Sequence, residues 1–189
     1  MRALVVVESM FGNTMAVADA IAAGLRDAPP RTMEVDLHRV DHAPVRLADD
    51  VGLLVVGGPT HAFGMSRAST RSSAAEQSGS PTTTGLARGM REWLDELEEP
   101  ERVVFATTFD TRVERPRVPG SAARRAEKHL RHMGFRIVHA ATTFWVTGTA
   151  GPFADGELER ARLHGLELGR RAAGPGRHPG ASGRWPVAS

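Results

Sequence analysis

The sequence contains no cysteine and no tyrosine, and aromatic residues make up only 5% of its 189 residues. Without cysteine, the chain can form no disulfide, no thiolate nucleophile and no cysteine-ligated metal or iron–sulfur centre. Its 24 basic residues include a single lysine, Lys128. A nucleic-acid surface would combine a basic stripe with interleaved aromatic residues, so the scarcity of aromatics argues against nucleic acid as a partner.

Long apolar runs are also missing, and none approaches the ~18 residues of a membrane span. Only about five apolar residues separate Arg2 from Glu8, which is too short for a signal peptide. We therefore expect a cytoplasmic protein with no membrane partner. The composition, 41% hydrophobic and 24% charged, is typical of one globular domain. We expect that domain over residues 1–173, with a flexible insertion at 66–84 and a disordered tail at 174–189.

Apolar periodicity predicts five strands that alternate with helices. The predicted strands cover residues 4–7, 32–40, 51–56, 102–107 and 135–140. The predicted helices cover residues 13–26, 85–97, 121–133 and 157–171. This alternation predicts a doubly wound, three-layer α/β/α domain with a parallel sheet. Because the carboxyl ends of parallel strands share one edge, we expect the binding site in the loops after strands one, three and four.

The loop after the first strand leads directly into a helix, whose first backbone N–H groups are free. The residues of this loop are Ser9, Met10, Phe11, Gly12, Asn13 and Thr14. The loop offers hydroxyl and amide side chains but no lysine, so it does not match the P-loop pattern of nucleotide hydrolases. The glycine pattern of dinucleotide-binding proteins, G-x-G-x-x-G, is absent too. The loop therefore predicts a site for a phosphate monoester, with a simple helix-capping turn as the alternative.

The loop after the third strand is built largely from small residues, which let a flat ring approach the backbone. Its residues are Pro59, Thr60, His61, Ala62, Phe63 and Gly64. His61 and Phe63 offer faces for stacking, and Thr60 offers a hydroxyl. The alternative is a plain turn in which Phe63 packs into the core.

The segment after the fourth strand is polar and contains one aromatic residue. Its candidate site residues are Thr108, Phe109, Asp110 and Thr111. The Asp110 carboxylate is suited to accept a hydrogen bond from a ring N–H, and its alternative role is to cap a turn.

Together these three segments resemble the flavodoxin family. The pattern Ser9-x-x-Gly12-Asn13-Thr14 resembles the flavodoxin phosphate loop, and residues 58–65 are similar to the segment that lines the flavin. The resemblance covers roughly residues 1–170 and implies a five-stranded sheet of order 2-1-3-4-5 with bound FMN. It implies that residues 9–14 hold the phosphate and that residues 60–64 and 108–111 flank the isoalloxazine.

The resemblance implies an FMN-binding protein that carries electrons between redox partners. The alternative is an FMN-dependent NAD(P)H oxidoreductase of the quinone-reductase type, in which His61 would donate a proton. The partner would be a redox protein or NAD(P)H, and the sequence leaves the oligomeric state open. Many electron-carrying members are strongly acidic and stack tryptophan and tyrosine on the flavin. Because this chain lacks tyrosine and has a formal net charge of +2, we expect a less negative flavin potential.

Overall fold

The computed structural model describes residues 1–60, 64–66, 88–115 and 119–174, and it holds a parallel sheet between two layers of helices. The strands are β1 (Arg2–Val7), β2 (Glu34–Arg39), β3 (Val51–Pro59), β4 (Phe105–Val113), β5 (Arg136–Ile137) and β6 (Thr142–Val146). The helices are α1 (Asn13–Asp27), α2 (Met90–Glu96), α3 (Ala122–His132) and α4 (Glu157–Ala172). The predicted insertion beyond Ser66 and the predicted tail beyond Gly174 fall outside the described residues. Within the described ranges, no helix has both the length and the apolarity of a bilayer crossing.

The sheet has the strand order that the family resemblance implies, with β2, β1, β3 and β4 side by side. The predicted fifth strand, residues 135–140, is shortened to β5, and a separate strand, β6, follows it. β5 pairs with Phe105 and Ala106, whereas β6 pairs with β4 from Phe109 to Val113. Between these two stretches, the hydroxyl of Thr107 donates a hydrogen bond to the carbonyl of His139 at 3.1 Å. This side-chain hydrogen bond connects the chain to β4 between the two paired stretches. Both β5 and β6 extend the sheet on the same side of β4.

The two faces of the sheet carry separate apolar cores, because successive residues of a strand point in opposite directions. In β1, Leu4 and Val6 pack toward α2 and α3, whereas Val5 and Val7 pack toward α1 and α4. Trp93 of α2 is fully buried, as its helical spacing predicts, and its indole N–H donates to the carbonyl of Pro44 at 3.0 Å. The sheet is therefore covered on both faces, which explains why β1 and β3 are nearly all apolar.

Helices α1 and α4 touch backbone to backbone on one face of the sheet. A Cβ on Gly24 would lie 1.9 Å from the carbonyl oxygen of Arg162, and a Cβ on Gly165 would lie 2.1 Å from that of Ile21. Both distances are impossible for a real side chain, so each helix needs a glycine where it meets the other. This contact fixes the position of α1, whose N-terminus lies at the carboxyl edge of the sheet.

Two predicted boundaries are corrected by the structure. The helix predicted over residues 85–97 is described only from residue 88; α2 begins at Met90, after Gly89, whose backbone N–H donates to the carboxylate of Glu92 at 3.0 Å. Strand β4 begins at Phe105 and ends at Val113, although the sequence predicts residues 102–107. The second correction changes the site, because it moves residues 108–111 from a loop into the sheet.

Candidate functional site

The turn between β1 and α1 places a helix N-terminus at the carboxyl edge of the sheet. Gly12, directly before α1, has a φ of +86°, which glycine adopts without steric cost. The hydroxyl oxygen of Ser9 accepts a hydrogen bond from the backbone N–H of Met15 at 3.2 Å and so caps the first turn. That turn carries no acidic side chain. The positive end of the helix dipole is therefore left without a negative partner from its own first turn.

The first amides of α1 are available to an anion. In the described part of the chain, no recorded hydrogen bond uses the backbone N–H of Asn13 or Thr14. The Thr14 hydroxyl is buried and shares a 2.8 Å hydrogen bond with the hydroxyl of Thr111, so it joins the turn to β4. Two free amides and a positive helix end, with neutral hydroxyl and amide side chains around them, match the needs of a phosphate group.

The second wall of the site comes from the end of β3. This strand continues through residues 57–59, where the sequence predicts a stop at residue 56. Gly57 leaves no room for a side chain, because a Cβ there would lie 2.0 Å from Cζ of Phe109. The glycine thus serves close packing inside the sheet and does not form a turn. Thr60 follows the strand, and its backbone N–H donates to the carbonyl of Thr111 at 3.0 Å.

The predicted ring-flanking loop is described only at its two ends. Three of its residues lie outside the described part of the chain: His61, Ala62 and Phe63. Pro59 and Thr60 line a cleft at the sheet edge. Gly64 lies beside α3, where a Cβ would come within 2.8 Å of Nε of Arg125. The stacking roles predicted for His61 and Phe63 therefore stay predictions.

The polar segment predicted as a loop after strand four is the second half of β4, and that prediction is wrong. Thr108, Phe109 and Asp110 are at most 1% exposed, whereas Thr111 reaches the cleft. The Phe109 ring packs edge to face on Phe144 with 6.1 Å between the centroids. The Thr108 hydroxyl donates to a backbone carbonyl of α3 at 2.9 Å. Polar residues are accommodated in this strand because each one finds a partner inside the protein.

Asp110 is the centre of a buried hydrogen-bond junction and not a free acceptor at the surface. Its Oδ2 accepts from the hydroxyl of Thr60 at 2.7 Å, from the hydroxyl of Ser121 at 2.6 Å and from the backbone N–H of Ala123 at 3.1 Å. Its Oδ1 accepts from the hydroxyl of Thr143 at 2.7 Å. The carboxylate lies at the N-terminus of α3, whose dipole favours negative charge. It therefore connects the residue after β3 with β6 and α3 at the sheet edge. Because it also accepts from the Ala123 N–H in the first turn of α3, it caps a helix, whereas the sequence alternative was to cap a turn.

The cleft itself lies between the β1–α1 turn and the ends of β3, β4 and β6. Of the predicted site residues, those that line it are Met10, Phe11, Asn13, Thr14, Pro59, Thr60 and Thr111. Ser9 and Gly12 do not line the cleft; Ser9 caps the first turn of α1, and Gly12 gives the turn its left-handed backbone. Four of the six residues predicted in the turn after β1 thus line the cleft, and so does one of the four candidates in β4.

Four lining residues were not among the predicted site residues: Arg112, Val113, Val146 and Thr149. The Asn13 side-chain N–H donates to the carbonyl of Thr149 at 3.0 Å, which joins the loop after β6 to the β1–α1 turn. The Arg112 guanidinium lies 5.5 Å from the centroid of the Trp145 ring. The glycine-rich turn that follows β6 is the sequence signal that would have indicated a fourth loop at this edge.

The fold is that of a doubly wound α/β protein with a helix N-terminus at its first β–α turn, and the chain belongs to the flavodoxin family. The family model described as Flavodoxin matches residues 5–165. A flavodoxin from the domain Archaea superposes with a TM-score of 0.60 at 16% identity, covering 91% of this chain and 99% of that one. Flavodoxin 1 from Bacillus cereus gives 0.59 at 15% identity, covering 91% and 97%. No curated protein sequence matches the chain.

Proposed function

We propose that the protein binds FMN at the carboxyl edge of its sheet and carries electrons between redox partners. The observation that carries the proposal is the N-terminus of α1, where a left-handed Gly12 precedes two free amides and no acidic side chain occupies the first turn. Flavin cofactors supply reversible electron transfer, and family membership supports such a cofactor.

The phosphate of FMN would lie against the backbone N–H groups of Asn13 and Thr14. The charge of a phosphate dianion strengthens each of these hydrogen bonds, and charge-assisted bonds contribute on the order of 1.5–3 kcal/mol each. Riboflavin lacks the phosphate, so it should bind far more weakly. This comparison separates a phosphate site from a simple capping turn.

The rest of the cofactor would lie in the cleft between the turn and the strand ends. Met10, Phe11 and Pro59 offer apolar contact to a flat ring system, while the Thr60 and Thr111 side chains add polar groups along the wall. The cleft opens at the sheet edge, so a bound ring would stay close to the surface. An electron carrier needs such an exposed ring edge because a partner protein must approach it.

The phosphate site is tested by placing a negative charge at the first turn of α1. Asn13→Ala removes the hydrogen bond to Thr149 without adding charge, and Asn13→Asp removes the same donor and adds a carboxylate. We expect Asn13→Asp to bind FMN at least tenfold more weakly than Asn13→Ala in a fluorescence titration, with equal riboflavin affinities for both variants. Equal FMN affinities would show that no phosphate lies at this turn.

The carrier role is tested by adding NADPH to the FMN-loaded protein without any partner. A carrier should show no rapid bleaching of the flavin absorption, because its electrons come from another protein. Rapid bleaching, followed by turnover with a quinone, would instead establish the NAD(P)H oxidoreductase.

A further inference from the structure

A groove lined by basic side chains lies beside the candidate flavin cleft. Its cationic residues are Arg112 from β4 and Arg124, Arg125 and Lys128 from α3. We call these four residues the basic groove. The three residues from α3 are exposed, and Arg124 and Lys128 are four positions apart, so they lie on the same side of the helix.

Among the residues that the structure describes, no carboxylate pairs with the α3 cations of this groove. Within the described residues, the side chains of Arg124, Arg125 and Lys128 form no ion pair. Glu127, the acidic residue among them, is used elsewhere: it binds Arg131 at 2.8 Å and accepts from the backbone N–H of Ala141 at 2.6 Å. The groove therefore presents net positive charge to the solvent.

The basic groove adjoins the candidate flavin cleft, because Arg112 lines both. A second contact links them: the Arg125 side chain packs against Gly64, which belongs to the segment after β3. A molecule held in the groove would thus lie next to the open edge of a bound flavin. Electron transfer between proteins depends on such proximity.

We propose that the basic groove is the docking surface for a redox partner whose contact face is rich in carboxylates. This proposal rests on the electron-carrier function. In the transfer step, one electron leaves the reduced centre of the donor protein and enters the flavin, so the donor is oxidised as the flavin is reduced. Exposed charges around a site steer a partner of opposite charge and raise the association rate, while they leave the complex short-lived.

The form of the groove favours a protein over a dinucleotide. Small-molecule sites enclose their ligand and orient it with a few fixed polar groups. Here the three α3 cations are long, exposed side chains spread along a helix, and no described aromatic ring of the groove offers a stacking face. Such an arrangement suits a broad surface that carries several carboxylates.

The test compares two variants from which equal charge has been removed. The groove variant carries Arg124→Gln, Arg125→Gln and Lys128→Gln. The control carries Arg31→Gln, Arg136→Gln and Arg170→Gln, three exposed positions near the opposite, amino-terminal edge of the sheet. The probe is an acidic [2Fe–2S] ferredoxin, and its affinity is measured by calorimetry at low and at high salt, with and without FMN.

We expect the ferredoxin to bind the wild-type protein in a salt-sensitive manner, and the groove variant to bind about tenfold more weakly, while the control changes less than about threefold. The rate of electron delivery to the FMN-loaded protein should fall in parallel. Binding of ferredoxin without FMN keeps this test separate from the test of FMN binding. The proposal would be overturned by equal affinities of the two variants for ferredoxin or by the absence of salt-sensitive binding to the wild type. It would also be overturned if the groove variant lost NADPH binding but kept its affinity for ferredoxin.

Discussion

His164 should make the protein less stable in mild acid. This residue lies on α4, is 8% exposed and packs against His139 edge to face with 4.6 Å between the ring centroids. Its Nε2 is buried and has no hydrogen-bond partner within the described residues. Such an imidazole is stable in the fold only while it is neutral, because a buried charge without a partner is costly.

The pKa of His164 is lowered from 6.5 to about 4. Burial is the main cause, followed by repulsion from His139; Arg160 and Arg171 act in the same direction, and Glu167 opposes them. Between these two pKa values the unfolded chain binds a proton that the folded protein does not, so stability falls as the pH falls. With 1.36 kcal/mol for each pH unit, the free energy of unfolding should drop by about 2 kcal/mol from about pH 7.5 to about pH 5.

The measurement is urea denaturation at both pH values, followed by the fluorescence of the buried Trp93. His164→Leu should lose about 2 kcal/mol less than the wild type over this interval. The difference between the two proteins cancels the contributions of all other titrating groups. His42→Leu is the matched control, because the His42 side chain is 79% exposed, and it should follow the wild type. Equal losses in the wild type and His164→Leu would refute the reasoning.

Three further predictions follow from the packing and charges of the site. Gly165→Ala should destabilise the protein by about 1–3 kcal/mol in urea denaturation, because its Cβ meets the α1 backbone; a stabilised variant, the usual result of this change in an open helix, would contradict the contact. Asp110→Asn should cost about 1–3 kcal/mol in the same assay, since a charge-assisted junction is weakened; an unchanged midpoint would contradict that role. Arg112→Gln should make the flavin potential more negative in a dye-coupled titration, because a cation favours the anionic reduced flavin; no shift would show that Arg112 does not act on the ring.

The elements that could be predicted from the sequence are those whose signal is local. β1 is a continuous apolar run, and α1 combines a helical period with a stop at Pro29. The turn between them can be predicted from the same local pattern, because a strand that leads directly into a helix fixes the direction of the first helix amides. The residues of this turn are therefore predictable from the sequence, and most of them line the cleft.

The parts that were missed depend on contacts between distant residues. Gly57 resembles a turn in the sequence, but it is a strand residue because the ring of Phe109 fills the space beside it. Asp110 resembles a loop residue, but Thr60 and Thr143 supply the hydrogen bonds that allow its burial. Thr149 joins the cleft only because β6 lies beside β4. The residues of each of these contacts lie more than thirty positions apart in the chain, so local sequence patterns do not reveal them.

The contact between α1 and α4 has a consequence for the order in which the protein is made. During synthesis, β1 and α1 leave the ribosome more than a hundred residues before the helix that packs against α1. Until then the apolar face of α1, with Val17, Ile21 and Leu25, has no partner helix. Ribosome-bound chains that end near residue 150 should therefore fail to retain FMN, whereas chains that expose α4 should retain it. The proposed cofactor site therefore matures only after α4 has been made, although its turn directly follows β1.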